Sequence, residues 1–151
     1  MAFILESQKP SETRAFGQLV GRIINQLGET RNRAFIISLE GPLGSGKTEW
    51  LRGFIRYFAP KEQVLSPTFI LMREIPLNHS FFKKIYHLDC YRFKNEKEIE
   101  VLGFKDIIRQ PKNLVVIEWG DRLKKILPSG IWRLKFKHQG LKKRKITLEI
   151  I

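Results

Sequence analysis

The chain has 151 residues, a net charge of +13 and a hydrophobic fraction of 42%, which predict one globular domain over residues 1–151. This composition excludes a chain that is disordered by default, and the single cysteine, Cys90, excludes an internal disulfide and a cysteine-based zinc site. The apolar runs are far shorter than the roughly 18 residues of a membrane span and the chain starts without a basic export leader, so we expect a cytoplasmic protein with no membrane partner.

The first predicted elements indicate an α/β arrangement. Apolar residues recur at helical spacing over residues 11–27, where Ser11 is the predicted N-cap. Residues 34–39 form an apolar run that is typical of a strand buried on both faces. A glycine-rich turn over residues 41–46 and a helical pattern over residues 48–58 follow this strand. A strand, a glycine-rich turn and a helix in this order indicate the opening of an α/β domain.

Extended and helical segments alternate through the rest of the chain. Residues 68–75 and 83–89 are predicted to form two strands joined by turn-forming residues. The later predicted elements are, in chain order, a short helix over residues 96–102, a further turn or two near residues 105–109, a buried strand over residues 114–117, a brief helix over residues 121–127, and a closing hairpin over residues 131–137 and 146–151. Helices and strands that interleave in this way predict an α/β sandwich with a mixed sheet.

Residues 41–48 fit the pattern G-x-x-x-x-G-K-[ST] of a phosphate-binding loop, or P-loop. Glycines allow successive backbone N–H groups to turn toward a phosphate, and the helix that follows directs its positive end at the same anion. Lys47 supplies a cation for the β- and γ-phosphates, and the Thr48 hydroxyl can bind Mg²⁺. The candidate nucleotide-binding residues are Gly44, Ser45, Gly46, Lys47, Thr48 and Glu49. We therefore expect a P-loop NTPase-like three-layer sandwich with a mixed, mostly parallel central sheet and a C-terminal hairpin.

Two carboxylates, Asp89 and Glu118, stand where predicted strands end. Because ligands of open α/β sheets bind at the carboxyl ends of the parallel strands, we expect both side chains near the P-loop. One is expected to hold Mg²⁺ and the other to position the attacking water, and the spacing leaves open which does which. Lys47, Asp89 and Glu118 are the candidate catalytic residues, and Thr48 and Glu118 are the first candidates for metal ligands. The plainer alternative is that each carboxylate caps the segment that follows it.

Four segments of the chain together resemble the bacterial TsaE (YjeE) family of small ATPases of tRNA threonylcarbamoyladenosine biosynthesis. The segments are LEGPLGSGKT at residues 39–48 with LRG at residues 51–53, SPTF at residues 66–69, YHLDCYR at residues 86–92, and VIEW at residues 116–119. They occur in the family's order, which is far more specific than a P-loop alone. The chain departs from the family's usual residues at Pro42, which lacks an N–H, at Ser45, and at Glu49, which adds a negative charge beside the predicted metal ligand.

The resemblance implies an ATPase with Mg²⁺ and ATP as cofactors, slow alone and stimulated by a TsaB–TsaD pair that transfers threonylcarbamoyl to a tRNA adenosine. ATP binding and hydrolysis would drive association or resetting of that complex, and tRNA would be met through the complex. It also implies that Ser66 and Thr68 belong to a switch-like element that senses the γ-phosphate or the metal, although the residues alone also allow an ordinary proline-pinned loop. Asp89, Glu118 and Trp119 carry over as site residues, and Trp119 can equally fill the core.

Basic residues form a row on the predicted closing hairpin, where Arg133, Lys135 and Lys137 alternate with apolar residues and residues 142–145 extend the row. This row favours contact with tRNA phosphates or with an acidic partner surface. The alternative is an edge strand that carries lysines as a protection against aggregation. The resemblance adds that Arg144 roughly matches a basic residue of the family and approaches the nucleotide.

Two other functions stay open from the residues alone. One is a small-molecule kinase, but such kinases commonly place the P-loop near the N-terminus and carry an arginine-bearing lid, whereas a whole predicted helix precedes Gly41 and no lid segment is evident. The other is a basic RNA-binding module with a vestigial nucleotide site.

His87 and Asp89 lie two residues apart on one predicted strand and therefore share a face. Two potential ligands do not make a metal site by themselves. We therefore expect His87 to be an ordinary hydrogen-bonded histidine rather than a metal ligand.

Overall fold

The computed structural model describes residues 2–65 and 71–151, which form seven strands and four helices. The strands are β1 (Ala2–Ser7), β2 (Phe35–Glu40), β3 (Met72–Pro76), β4 (Lys84–Asp89), β5 (Asn113–Glu118), β6 (Trp132–Gln139) and β7 (Lys143–Ile150). The helices are α1 (Pro10–Leu27), α2 (Lys47–Phe58), α3 (Lys97–Glu100) and α4 (Phe104–Arg109), and 3-10 turns lie at Gly28–Thr30 and Gly120–Leu123. No helix among these residues combines the length and the apolar content that a membrane crossing requires.

The strands form one sheet in the order β1-β7-β6-β2-β5-β4-β3. The four strands β6, β2, β5 and β4 run parallel to one another at its centre. Antiparallel hairpins flank them, with β3 beside β4 on one side and β7 beside β6 on the other. β1 pairs antiparallel with β7 and so points in the same direction as the central four. This arrangement confirms the predicted mixed, mostly parallel sheet and its C-terminal hairpin.

Helices cover both faces of the sheet, which the side chains of β2 illustrate. Phe35, Ile37 and Leu39 pack into the core beneath α1 and α2, whereas Ile36 points to the opposite face, beneath α3 and α4. All residues of β2 are buried, as expected for a parallel strand between two helical layers. The predicted three-layer sandwich is therefore confirmed.

Helix α1 begins at Pro10, two residues before the start that an N-cap at Ser11 predicts. Lys9 is the N-cap residue and has an extended backbone, with φ −152° and ψ 156°. Pro10 occupies the first helical position, where its fixed φ suits a helix and its missing N–H would have had no intrahelical partner. The predicted N-cap at Ser11 is wrong for this reason.

Strand β1 has no counterpart among the predicted elements. Most residues of β1 are exposed, and its sequence does not show the alternation of apolar and polar residues that marks a half-buried strand. The strand is defined instead by its antiparallel pairing with β7. Because β1 and β7 both lie outside β6, the basic row that starts at Arg133 does not lie on an edge strand. The edge-strand alternative for this row is wrong.

Two predicted helices are shorter in the structure. The helix expected over residues 96–102 narrows to α3, and Gly103, with φ 74°, separates it from α4. The helix expected over residues 121–127 is reduced to the 3-10 turn at Gly120–Leu123. Pro128 disfavours helical backbone at the residue before it, which limits how far a helix can extend there.

Two glycines let α1 and α2 cross with their backbones in contact. A β-carbon at Gly17 would overlap the carbonyl oxygen of Trp50, and a β-carbon at Gly53 would overlap the carbonyl oxygen of Arg14. Since α2 follows directly from the glycine-rich loop (residues 41–46), this contact fixes the position of the loop relative to α1.

We expect Gly53→Ala to lower the free energy of unfolding by about 1–3 kcal/mol, because the added methyl group must push two helix backbones apart. Urea denaturation followed by far-UV circular dichroism measures this. The matched control is Gly21→Ala in α1, whose β-carbon would meet the Tyr57 side chain at 3.1 Å rather than backbone and should cost less. Equal losses in the two variants would contradict the role assigned to the crossing.

Candidate functional site

The glycine-rich loop leaves the carboxyl end of β2 and needs glycine at specific positions. Gly41 has φ 146°, and a β-carbon there would lie 2.5 Å from the carbonyl oxygen of Phe136 on β6. Gly44 and Gly46 have φ 69° and 102°, which side chains with a β-carbon rarely adopt. A β-carbon at Gly44 would meet no described atom within 4 Å, so the loop is open on this side. The first turn of α2 then presents backbone N–H groups that have no partner within the helix.

Lys47, the first residue of α2, is buried and folds back over the loop. Its Nζ donates to the carbonyl oxygens of Gly41 at 2.6 Å and Pro42 at 2.8 Å. Burial lowers the pKa of the Lys47 ammonium, and the nearby carboxylates of Glu118, Asp89 and Asp121 counteract that shift. The cation therefore lies at the loop, where an incoming anion can compete with two carbonyl oxygens for it.

Glu118 ends β5 directly beside the start of α2. Its Oε1 accepts a hydrogen bond from the Thr48 hydroxyl at 3.3 Å, and its Oε2 lies 2.9 Å from Nε2 of His87 on β4. Glu118 and His87 are both buried. The bond to Glu118 agrees with the expectation that His87 is a hydrogen-bonded histidine.

Asp89 ends β4 at the level at which Glu118 ends β5, because the two residues are partners in the parallel register. Its Oδ1 accepts a hydrogen bond from the backbone N–H of Tyr91 at 3.0 Å. Partial burial raises the pKa of Asp89, and repulsion from Glu118 adds to this effect. The Tyr91 N–H, His87 and Lys47 act in the opposite direction.

Trp119 follows Glu118 in an unusual backbone conformation. With φ 61°, it is the only residue other than glycine with a positive φ in the described part of the chain. The next residue, Gly120, lies so close to Ser38 that a β-carbon would overlap the serine hydroxyl. This tight turn places the Trp119 ring 4.3 Å from Nζ of Lys47 and 5.0 Å from the Tyr91 ring. The ring therefore borders the site and is half-buried rather than part of the core interior.

A cleft of about 860 Å³ lies above these residues. Its lining includes the predicted site residues Gly44, Ser45, Gly46, Lys47, Thr48, Glu49, Asp89, Glu118, Trp119 and Arg144. The structure thus brings together one glycine-rich loop, three strand ends and the C-terminal hairpin. The predicted switch-like residues Ser66 and Thr68 lie outside the described residues.

The structure shows what contacts the three residues at which the chain departs from the TsaE pattern. The Glu49 carboxylate forms ion pairs with Arg14, at 2.5 Å, and with Arg52. The negative charge that Glu49 adds is therefore largely balanced by two arginines. Ser45 is buried, and its hydroxyl has no hydrogen-bond partner within the described ranges. Pro42 contributes its carbonyl oxygen, which accepts from Lys47 and, at 3.3 Å, from the N–H of Ser45.

The C-terminal hairpin, the β1–α1 connection and the start of α1 form one wall of the cleft, of which the sequence indicated only Arg144. Nη2 of Arg144 donates to the carbonyl oxygen of Gly44 at 3.2 Å. The other lining residues from this wall are Gln8, Lys9, Pro10, Thr13, Leu141 and Lys142. No local signal marks the β1–α1 residues, because their place beside the loop depends on the pairing of β1 with β7.

The donor set fits Mg²⁺ held jointly by protein and phosphate. The Thr48 hydroxyl and the Glu118 and Asp89 carboxylates are hard oxygen ligands, which Mg²⁺ prefers. Within residues 2–65 and 71–151, no group of three or more histidine, cysteine, aspartate or glutamate side chains could enclose a metal ion. Mg²⁺ commonly binds one or two carboxylates together with substrate phosphates, and Glu118 and Asp89 are two such carboxylates.

A family model and named relatives of this chain agree on one protein family. A family model described as threonylcarbamoyl adenosine biosynthesis protein TsaE matches residues 7–146. A Rickettsia bellii protein named tRNA threonylcarbamoyladenosine biosynthesis protein TsaE is 36% identical, over 76% of this chain and 84% of its own. A protein of the same name from Bacillus subtilis is 28% identical, over 94% of this chain and 82% of its own. The crystal structure of Bacillus subtilis YdiB superposes with a TM-score of 0.75 at 22% identity, covering 100% of this chain and 86% of that one. This last match supports the fold.

We expect Asp89→Asn to stabilise the nucleotide-free protein at pH 7.5. A carboxyl group whose pKa is raised by folding favours the folded state at low pH and loses that contribution as pH rises through the raised value. The amide carries no charge and can still accept the Tyr91 N–H. The free energy of unfolding, measured with urea in EDTA, should therefore exceed that of the parent at pH 7.5, and the difference should shrink toward pH 4.5. The exposed Asp106→Asn variant is the control, and a difference that grows as the pH falls would contradict this assignment.

Proposed function

The chain belongs to the TsaE family, and on this premise we propose that it is a MgATP-binding switch ATPase that acts on a TsaB–TsaD complex. Membership gives it a role in tRNA threonylcarbamoyladenosine biosynthesis. One observation supports the ATPase proposal most directly. The glycine-rich loop, with Lys47 and Thr48, lies beside Asp89 and Glu118 at one end of the sheet. These are the groups that bind, charge-balance and orient a nucleoside triphosphate in P-loop proteins.

The proposed nucleotide site uses groups whose positions are set before any ligand arrives. Backbone amides of Gly44, Ser45, Gly46 and the first turn of α2 bind phosphate oxygens, helped by the positive end of the helix. Lys47 exchanges its two carbonyl partners for phosphate oxygens. Since the ammonium is already buried beside these carbonyls, little reorganisation is needed, which is a general source of strong electrostatic stabilisation.

Thr48 and Glu118 are the proposed Mg²⁺ ligands, because the hydroxyl and the carboxylate already lie 3.3 Å apart. When bound, Mg²⁺ neutralises charge on the phosphate oxygens. Asp89 is then the proposed residue that orients the attacking water and accepts its proton. Its raised pKa supports this assignment, since a carboxylate with a higher pKa is a stronger base.

The rim of the cleft suggests why partners would stimulate hydrolysis. Tyr91 and Leu141 line the cleft and are 41% and 98% exposed. A TsaB–TsaD surface that docks on this rim would exclude water from the phosphates and strengthen every electrostatic interaction there. Arg144 and Trp119, which border the same opening, are proposed to contact the nucleotide or the partner. Ser66 and Thr68 are proposed to sense the γ-phosphate, as the family resemblance implies.

We expect Lys47 and Glu118 to affect different steps. Lys47→Ala should abolish ATP binding, because it removes the buried ammonium that folds back over the loop. Glu118→Gln should lower turnover by about 10²-fold or more while changing nucleotide affinity without Mg²⁺ much less, because it weakens a metal ligand and keeps an acceptor for His87. Binding of a fluorescent ATP analogue and release of inorganic phosphate measure the two effects.

The matched control for the first variant is Lys61→Ala, which removes an exposed lysine and should match the parent. Circular dichroism confirms that each variant is folded. Normal hydrolysis by a clean preparation of Lys47→Ala would refute the assignment. Transfer of the phosphoryl group to a metabolite rather than to water would favour a small-molecule kinase.

We also expect nucleotide to control partner binding. The tagged protein should recover a TsaD-like protein from cell lysate in the presence of ATP and lose it without nucleotide, and Lys47→Ala should recover none under either condition. Equal recovery with and without ATP would contradict the switch. Tight, salt-sensitive binding of tRNA that needs neither nucleotide nor partner proteins would favour an RNA-binding module instead.

A further inference from the structure

A buried hydrogen bond ties Glu118 to a histidine that has no part in the roles assigned above. His87 lies on β4 and is 1% exposed, and Glu118 ends β5 and is 3% exposed. Nε2 of His87 and Oε2 of Glu118 are 2.9 Å apart. Two buried side chains that bond each other from neighbouring strands restrict each other's orientation.

The chemistry of this pair determines which imidazole nitrogen donates. When the Glu118 carboxylate is ionised, as Mg²⁺ binding requires, it only accepts hydrogen bonds, and Nε2 of His87 is then the donor to Oε2. In the neutral imidazole, Nδ1 is then an acceptor, and it is buried without a hydrogen-bond partner among the described residues. Among the described residues, the hydrogen bond to Glu118 is therefore the only one that the His87 ring makes.

We propose that His87 is a positioning residue that holds the Glu118 carboxylate in the orientation required to bind Mg²⁺, an inference that rests on the proposed function. The imidazole engages Oε2 and leaves Oε1 next to the Thr48 hydroxyl. The two oxygens thereby have distinct surroundings. Without the Nε2 donor, the carboxylate can rotate about its terminal torsion, which has a broad energy profile, and the oxygen beside Thr48 is no longer fixed. His87 itself contacts neither phosphate nor metal in this arrangement.

The test measures how much Mg²⁺ strengthens nucleotide binding, as the ratio of the affinity for a fluorescent ATP analogue with Mg²⁺ to that in EDTA. His87→Leu should lower this ratio by about 10-fold to 100-fold, as is typical when a group behind a metal ligand is lost. Its affinity in EDTA should stay at the parent value, because the loop and Lys47 are untouched. His87→Gln, whose amide can donate from near the Nε2 position, should recover most of the ratio. In hydrolysis assays at saturating Mg²⁺, His87→Leu should raise the KM for ATP by a similar factor, because its nucleotide affinity falls with Mg²⁺ and not in EDTA.

A double-mutant cycle separates positioning from a general structural role. In the Glu118→Gln background, His87→Leu should cause little further loss of the Mg²⁺ effect, because the carboxylate that it orients is already gone. Equal losses in both backgrounds, or an unchanged Mg²⁺ effect in folded His87→Leu protein, would overturn the inference. If His87→Leu does not fold, His87→Gln is compared with His87→Asn, whose shorter side chain falls short of Glu118. Equal Mg²⁺ effects in these two variants would likewise overturn it.

Nucleotide binding by the parent protein shows whether the positioning role fails alone or together with the proposed function. If the parent binds nucleotide in a Mg²⁺-dependent way and the histidine variants match it, only the positioning role fails. If the parent shows no Mg²⁺-dependent nucleotide binding, the proposed function fails and the positioning role fails with it.

Discussion

The parallel register of β2, β5 and β4 is the constraint on which the site depends. In this register Leu39 of β2 is the partner of Glu118, and Glu118 is in turn the partner of Asp89. The three strands therefore end at the same level, where the glycine-rich loop leaves β2. Because side chains alternate along a strand, a slip of one residue between β4 and β5 would send Asp89 or Glu118 to the opposite face of the sheet. The site exists only in the register that also buries the apolar residues on both faces.

The charges at this strand edge compensate one another. Burial lowers the pKa of Lys47 and raises that of Asp89, and each residue moderates the shift of the other. Glu49, which could have made the site more negative, is instead paired with two arginines. A buried charge costs less when it is hydrogen-bonded: Lys47 donates to two loop carbonyl oxygens, and Asp89 accepts the Tyr91 N–H. The loop is thereby left with a cation close to the position where phosphate is proposed to bind.

The C-terminal hairpin distributes the positive charge of the chain unevenly. Arg133 and Lys135 both contact the Glu149 carboxylate, at 2.6 Å and 3.5 Å, so this part of the basic row is partly neutralised. Arg144 and Lys142, near the tip of the hairpin, line the cleft, and Arg144 contacts the loop carbonyl of Gly44. Positive charge is therefore brought to the opening of the site by the hairpin, rather than spread along an edge of the sheet.

Several elements could be identified from the sequence because their signals are local. Apolar runs marked β2 and β5 as buried strands, the spacing of glycine, lysine and threonine marked the loop and α2, and the carboxylates that end strands marked Asp89 and Glu118 as candidates. Other features depend on contacts between distant segments and became visible only in the folded chain. These include the exposed strand β1, the interior position of β6, the pairing of Glu49 with Arg14 and the hydrogen bond from His87 to Glu118. Local patterns reflect backbone preference and the burial of one segment, whereas these features follow from strand order and register, which no single segment encodes.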